Sequence, residues 1–475
     1  MIEASRLEPF RALLGSAGFR DDPDELAPWL TDWRGRYTGN ASAMLSPANT
    51  EQVAEIVRIA ATSRIALVPQ GGNSGMVAGA TPDPSGNSVL LSLRRMDRII
   101  SIDATNGETV VEAGVILQNL HEAAAAQDRR FPLTLGGKGS ATVGGLISTN
   151  AGGTQVLRHG TMRGLVLGLE AVLPDGAIFD GMTPLKKDNR GYDLKQLLIG
   201  GEGTIGVVTK AVLKTAPALI DRVVVWAGVQ SPSDAYRLLQ FIGARANTAL
   251  EGFEILPQHA LDAVVKHIPN TRAPLADAHR WHALIELVQD DPAQPAPAEI
   301  AQRLLGEAIE MGLLQDATLS TNEAQAEAFW KIRDSIAEAE RAEGPALQHD
   351  ISVPVADMAR FIETETPDIE ARFAGTEIVA FGHLGDGNIH FHVKAPKGMD
   401  AARWYSELAG PISAHVYDRV AAYRGSLSAE HGIGMAKLGE FARLADPARL
   451  NALRAIKTAF DPLNIMNPGK LVPLA

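Results

Sequence analysis

The chain has 475 residues, with 44 basic and 56 acidic side chains and a formal net charge of -12, and this length suits about two or three domains with real cores. The acidic balance, with no basic tract of five or more residues, excludes nucleic acid as the expected partner. The lack of any cysteine excludes disulfides, thiolate metal sites, cysteine-ligated iron–sulfur clusters and a cysteinyl nucleophile.

The N-terminus, MIEASRLEPFRALLG, lacks the basic-then-apolar order of a signal peptide. No apolar run approaches the roughly 18 residues of a membrane span. The expectation is a soluble, cytoplasmic protein without a membrane span. A short helical start and a tryptophan-containing lead-in run to about Gly39. Asn49 with Gln52 resembles a capping box, and Val53, Ile56, Val57 and Ala60 follow at helical spacing, so a helix is predicted to about Ser63. Ile65 to Val68 then reads as a buried strand.

That strand enters PQGGNSGMVAG, Pro69 to Gly79, where glycines let backbone N–H groups approach a phosphate. The alternative is a flexible turn. A second tract, LGGKGSATVGGLISTNAGG from Leu135 to Gly153, mixes Gly, Ser and Thr with few apolar residues. It reads as held against something other than a protein core, for which a dinucleotide is the natural candidate. It is not a nicotinamide site of the Rossmann type. The one matching spacing, at Gly201, Gly203 and Gly206, is followed by VVTKAVLK, which alternates like a strand where that fingerprint demands a helix. NSVLLSL, Thr109 to Ala113 and LGLEAVLPDG read as further strands.

After Pro217 the texture becomes an α+β alternation: VVVWAGV, a helix from about Ser233 to Ala246, FEIL, WHALIELV and a helix near Ile300 to Met311. DDPAQPAPAE, Asp290 to Glu299, reads as an exposed connection. FWKIRDSI is predicted helical, and its Arg333 either clamps a carboxylate through its planar fork or is a solvated helix arginine.

FGHLGDGNIHFHV, Phe381 to Val393, is predicted to be a hairpin with a polar face, turning at Gly385 and Gly387. His390 and His392 share a face by the two-residue period, and the turn returns His383 beside them. Converging imidazoles begin a metal site; the alternative is half-exposed strand histidines beside a loop. SAEHGIGMAKL then offers Glu430 as a third ligand and His431 as a base. Two histidines and a carboxylate suit zinc, or manganese or iron. The tail from Asp461, DPLNIMNPGKLVP, has turn punctuation and little to pack, so it is either loose or folded back onto a cofactor.

Together VPQGGNSG, KGSATVGGLISTNAGG, GGEGTIGVVT, GHLGDGNIHFHV, SAEHGIG and DPLNIMNPGKL resemble, in the same order, the FAD-binding oxidoreductases of the vanillyl-alcohol oxidase/p-cresol methylhydroxylase superfamily. The branch is that of the D-2-hydroxy-acid dehydrogenases, of D-lactate and D-2-hydroxyglutarate type. The resemblance spans about Asp32 to Leu471. It implies an α+β fold: a two-lobed FAD-binding domain over 1–217, a ferredoxin-like antiparallel-sheet cap over 218–420 and a C-terminal helical segment over 421–475 returning to the FAD domain. It implies FAD held by Gly71, Gly72, Asn73, Ser74 and Gly75, with Met76 and Pro132, then Gly137, Ser140, Thr142, Gly144, Gly145 and Thr149, with Gly206 and Val207 near the flavin or the adenine side and Asn467 close to the flavin. Relatives that attach FAD covalently use a histidine near the first loop or a cysteine; Asn73 stands there and cysteine is absent, so non-covalent FAD is expected.

The resemblance further implies a divalent metal, zinc first, on His383, His390 and Glu430, chelating the α-hydroxyl and carboxylate of a small 2-hydroxy acid. His431 would take the hydroxyl proton, Arg333 would hold the carboxylate and hydride would pass to flavin. An electron-transfer flavoprotein, a quinone or a cytochrome would reoxidise it, and a homodimer is the default assembly. The sequence departs from 2-hydroxyglutarate-type members at Gln348 (a lysine there), His392 (an asparagine) and Ala337 (a threonine). Gln348 and His392 would face the distal end of the substrate, so D-lactate or a polar-substituted acid is expected over D-2-hydroxyglutarate. The rivals are a flavin-free metal-dependent hydrolase, a non-redox flavoprotein of the same superfamily and a nucleotide-binding module without catalysis.

Overall fold

The structure, a computed structural model, describes residues 2–474, without the side chain of Asn247. Two compact units divide the chain: residues 1–153, 159–218 and 430–475 form one, and 154–158 with 219–429 form the other.

The first unit is built on two sheets. In one, Phe19–Arg20, Met44–Leu45, Ser88–Ser92 and Ala66–Gln70 lie side by side in that order, and the last three pair in parallel. Helix Thr50–Ser63 covers it with Val53, Ile56, Val57 and Ala60 buried, started by Asn49, whose side chain accepts from the Gln52 N–H. Gln52 Oε1 in turn accepts from the Ala48 N–H at 2.8 Å, one residue earlier than the reciprocal capping bond expected. The other sheet is antiparallel, in the order Ile99–Asp103, Glu108–Glu112, Val207–Lys214, Val166–Val172, Ile178–Gly181. Val207–Lys214 is thus a central strand, as its alternation requires. Each sheet has its own apolar core.

Two expectations for this unit are corrected. The glycine-rich tract is only partly free of the core: Val143–Thr149 is a helix capped by Thr142, and Ala141, Val143, Leu146 and Ile147 are buried with the second core. Three apolar side chains at helical spacing, with Ala141 just before the cap, suffice to anchor a segment whose composition looks polar. The C-terminal tail is likewise packed. Leu67 N–H donates to Ile465 C=O and Asn467 N–H donates to Leu67 C=O, both at 2.8 Å, so the tail adds to the edge of the first sheet and buries Ile465 and Met466.

The second unit is one seven-stranded sheet in the order Asp316–Leu319, Asp221–Val229, Trp281–Gln289, Leu250–Pro257, Glu377–His383, Asn388–Lys394, Ala346–Ser352, antiparallel throughout. Its first four strands, numbered by sequence, lie in the order 4-1-3-2. Helix Pro232–Gly243 follows the first of them and Pro297–Glu310 the third, which is the ferredoxin-like arrangement. Val223, Val224, Val225 and Trp226 are all buried. Consecutive buried residues mean that helices cover both faces of the sheet. The remaining three strands carry the histidines.

Candidate functional site

The hairpin forms as its sequence demands. Strands Glu377–His383 and Asn388–Lys394 pair with Phe381 opposite His390 and Val379 opposite His392, and Gly387 at the turn has φ 84°. Its chemistry is more enclosed than alternation suggested. A third strand, Ala346–Ser352, lines the far side of Asn388–Lys394, with Gln348 opposite His392 and Asp350 opposite His390. The polar face is therefore interior: His383 is 6% exposed and His392 5%.

His383 and His390 converge, with ring centroids 5.5 Å apart and a ring nitrogen of each within 4.8 Å of the other. Each is conditioned by neighbours. Glu254 Oε1 lies 2.5 Å from His383 Nδ1, and its Oε2 accepts from Arg333 Nε at 2.7 Å. Arg333 Nη2 stands 3.2 Å from His383 Nε2. With Nδ1–H turned to the carboxylate, as in a metal-binding imidazole, Nε2 carries the lone pair and accepts from Arg333 Nη2. Burial alone would push the Glu254 carboxyl up, but Arg333 and His383 outweigh it and hold it well below the ordinary carboxylate range. Burial, and then the charges of Arg333 and His383, push His390 well below the ordinary imidazole value. That shift favours the neutral imidazole, the form a metal takes.

Glu254, Asp350 and Glu340 were not legible as site residues. One signal was available for Glu254: a carboxylate inside FEIL, flanked by buried Phe253 and Ile255, has no place in a strand without a partner. Asp350, 3% exposed, accepts from Asn388 Nδ2 at 3.0 Å. Glu340 lies 2.5 Å from His392 Nδ1, so His392 is engaged by a buried acid. Gln348 is half-buried beside it.

In the first unit, Glu430 and His431 lie on a half-buried loop that a buried carboxylate anchors. Glu202 accepts from the N–H groups of Ile433 and Gly434, both at 2.7 Å, and a Cβ at Gly432 would come within 2.7 Å of its Oε1. Burial pushes the Glu202 carboxyl up against the pull of those two bonds. The GGEG tract thus serves to present Glu202. Glu430 follows directly on Ala429, the last residue of the second unit. Four residues earlier, Ser426 pairs with Ser352 at the end of the Asp350 strand.

The two glycine tracts meet as a wall of backbone. A Cβ at Gly72 would lie 1.7 Å from Ser140 O, one at Gly71 2.2 Å from Thr142 Oγ1, and one at Gly144 2.7 Å from Ala113 Cβ. Gly75, Gly136 and Gly139 face open space within 4 Å. Gly137 and Ser140 bond each other, Ser140 Oγ donating to Gly137 O at 3.4 Å. Gly145 N–H donates to Thr142 Oγ1 at 3.4 Å, and Thr149 Oγ1 to Gly145 O at 3.1 Å. Asn73, at φ 52°, donates to Thr31 O. Arg34 donates to the sulfur of Met76. Ser74 is half-buried, whereas Pro132, Gly206 and Val207 are buried. Asn467 donates to Gly79 O and Glu202 O at 2.9 and 2.7 Å, and its Oδ1 is buried without a hydrogen-bond partner.

Residues 220–471 match the family model of the FAD linked oxidases, C-terminal domain, and residues 41–181 match that of the FAD binding domain. The chain belongs to the FAD-linked oxidases. The enzyme is an FAD-dependent oxidoreductase. It is 35% identical over 473 residues to a D-2-hydroxyglutarate dehydrogenase, mitochondrial, of Arabidopsis thaliana, covering 99% of this chain and 82% of that protein. Against the protein of the same name from Bos taurus it is 35% identical over 454 residues, 95% and 80% of the two chains. Among solved structures, p-cresol methylhydroxylase with substrate bound superposes with a TM-score of 0.76 at 16% identity over 98% of this chain and 96% of that one. That likeness supports the α+β fold expected of the superfamily.

The relatives overturn the cytoplasmic expectation. Both are mitochondrial by name, and a cysteine-free composition does not separate the cytosol from another reducing compartment. Among the described residues no helix is long and apolar enough to cross a membrane.

The residues present fit FAD. Gly75, Gly136 and Gly139 leave space open where a Cβ would stand, on two tracts that Gly71 and Gly72 let pack closely together, and the unanswered Asn467 Oδ1 awaits a donor. They fit a divalent metal as well: two neighbouring imidazoles, one oriented by a buried carboxylate, are the donor set such an ion takes.

Proposed function

We propose that this enzyme oxidises a D-2-hydroxy acid to the 2-oxo acid. The observation that carries the reading is the Glu254 bridge, which joins a cation suited to a carboxylate, Arg333, to an imidazole suited to a metal, His383, in one buried network. Bound FAD supplies the acceptor for the hydride leaving C2. A divalent metal on His383, His390 and Glu430, zinc by its donor set, supplies Lewis acidity toward the substrate oxygens.

The chain's own residues do the rest. Gly71, Gly72, Asn73, Ser74, Gly75, Met76 and Pro132, with Gly137, Ser140, Thr142, Gly144, Gly145, Thr149, Gly206, Val207 and Asn467, bind the dinucleotide without covalent attachment. Glu254 occupies Arg333 Nε, so the Nη edge of the guanidinium meets the substrate carboxylate. His431, held by the loop that Glu202 anchors, takes the proton of the C2 hydroxyl. Gln348 and His392 face the substrate side chain. Bound FAD would be reoxidised by an external acceptor, for which an electron-transfer flavoprotein, a quinone or a cytochrome is the class.

The test is an anaerobic visible spectrum of metal-replete protein before and after D- and L-2-hydroxy acids. A flavin spectrum bleached by D-acids alone, and not after chelation, is expected. No bleaching by any D-2-hydroxy acid overturns the reading and promotes a non-redox flavoprotein; a protein that takes up no FAD promotes the hydrolase.

A further inference from the structure

Glu340 sits in helix Ile336–Glu343, 1% exposed. One carboxylate oxygen, Oε2, lies 2.5 Å from His392 Nδ1; the other, Oε1, is buried with no hydrogen-bond partner. An interior carboxylate oxygen left without a donor is costly, and a donor that arrives there recovers the loss. The pair stands next to the reacting end. The His392 ring centroid is 6.3 Å from that of His390 and 5.1 Å from that of Phe381. In the strand register, the Gln348–His392 row follows the Asp350–His390 row by one two-residue step on the same face.

The nearby cations are already committed. Arg333, held by Glu254 at 2.7 Å, is taken by the substrate's own C1 carboxylate, and Lys394 is paired with Glu343 and Glu377 at 2.7 and 3.0 Å. A second carboxylate on the substrate would therefore meet the like charge of Glu340 rather than a cation. A hydroxyl or an ammonium would meet an acceptor in want of a donor.

We propose that Glu340, fixed by His392, is the specificity-determining residue for the substrate side chain. It selects D-2-hydroxy acids that end in an N–H or O–H donor over those ending in a second carboxylate. The inference rests on the D-2-hydroxy-acid reading and deepens it. Gln348, beside His392, supplies further hydrogen bonds to the same group.

The experiment measures kcat/KM with a redox dye as acceptor for D-lactate, D-2,4-dihydroxybutyrate, D-4-amino-2-hydroxybutyrate and D-2-hydroxyglutarate, for the parent enzyme and for Glu340→Leu and Glu340→Gln. The parent should prefer a donor-ended acid over D-2-hydroxyglutarate by about tenfold or more. The hydroxy and amino arms tell a hydroxyl from an ammonium. Glu340→Leu should erase that ratio, and Glu340→Gln, which keeps an acceptor but removes the charge, should retain the hydroxyl preference and lose the ammonium one. A merely structural pair would lower the thermal midpoint of both variants and leave the ratios alone, which overturns the proposal. A parent that prefers D-2-hydroxyglutarate overturns it without any variant. Oxidation of D-lactate in that case leaves the underlying D-2-hydroxy-acid reading standing, whereas inertness toward all four acids removes both.

Discussion

Replacing Glu254 by Gln tests the network at its centre. The carboxylate is 1% exposed and accepts from Arg333 Nε at 2.7 Å through one oxygen while the other lies 2.5 Å from His383 Nδ1. A glutamine of the same size has one carbonyl oxygen for two donors, so its amide N–H must face either the guanidinium or the imidazole. Arg333, whose side chain is 12% exposed, retains Asp334 at 3.7 Å as a carboxylate neighbour, a pair with the acid at 62% exposure that compensates little. Breaking a buried pair by removing one charge costs about 3–5 kcal/mol. Losing the group that orients a metal-binding imidazole costs about 10- to 100-fold in metal affinity. The assay is calorimetric titration of zinc into metal-stripped, FAD-loaded protein. Flavin content serves as the control, because Glu254 and the FAD binding domain match at 41–181 belong to different units. The expectation is weaker zinc binding by at least about tenfold at unchanged flavin content. Zinc affinity within about twofold of the parent would refute the idea that Glu254 orients His383.

The glycine cradle separates space needed by the fold from space left for the cofactor. Gly72→Ala puts a Cβ 1.7 Å from Ser140 O and should abolish soluble folded protein, whereas Gly75→Ala, with nothing within 4 Å, should keep the apoprotein's thermal midpoint and lower FAD affinity in a fluorescence titration. The buried Lys457–Asp461 pair, 2.5 Å apart, predicts that Asp461→Ala, which strands an ammonium beside Met466 and Thr204 carbonyls, costs about 3–5 kcal/mol, read by denaturant unfolding of the flavin-bearing unit. His282 accepts from Trp226 Nε1 at 3.0 Å and lies 2.8 Å from Gln258 Oε1, and burial, with the charge of His279 second, pushes it down to about 4 from 6.5. Its folded-state value lies below the unfolded one, so its contribution is complete above pH 6.5 and drains away as pH falls toward 4, by about 3 kcal/mol in all. Urea midpoints across that range should fall less steeply in His282→Gln than in the parent, and equal slopes would refute the assignment.

Local structure was read well because local chemistry dictates it. Asn49 before an apolar 3.6-residue period can only start a helix, and GDGN between alternating residues can only turn a hairpin. Where the reading failed, the cause was distance along the chain. The tail at Ile465 and Met466 reads from sequence as either loose or folded back, because its partner, Leu67, lies far back in the chain. The tract at Ala141 to Ile147 looked too polar to enter a core because Val143, Leu146 and Ile147 do not stand out among glycines until a helix aligns them.

The sequence by itself determined the elements, the glycine-rich backbone that leaves room for a dinucleotide, and the convergence of His383 with His390, since a two-residue period and a tight turn allow nothing else. Tertiary structure alone decided the partners of the charges. Glu254 meets Arg333 across 79 residues and Glu340 meets His392 across 52, because helices Glu323–Asp334 and Ile336–Glu343 pack their side chains against strands of distant origin. A buried charge has to find its counterpart wherever packing puts it, so the carboxylates beside His383 and His392 became visible only once helix and sheet were packed together.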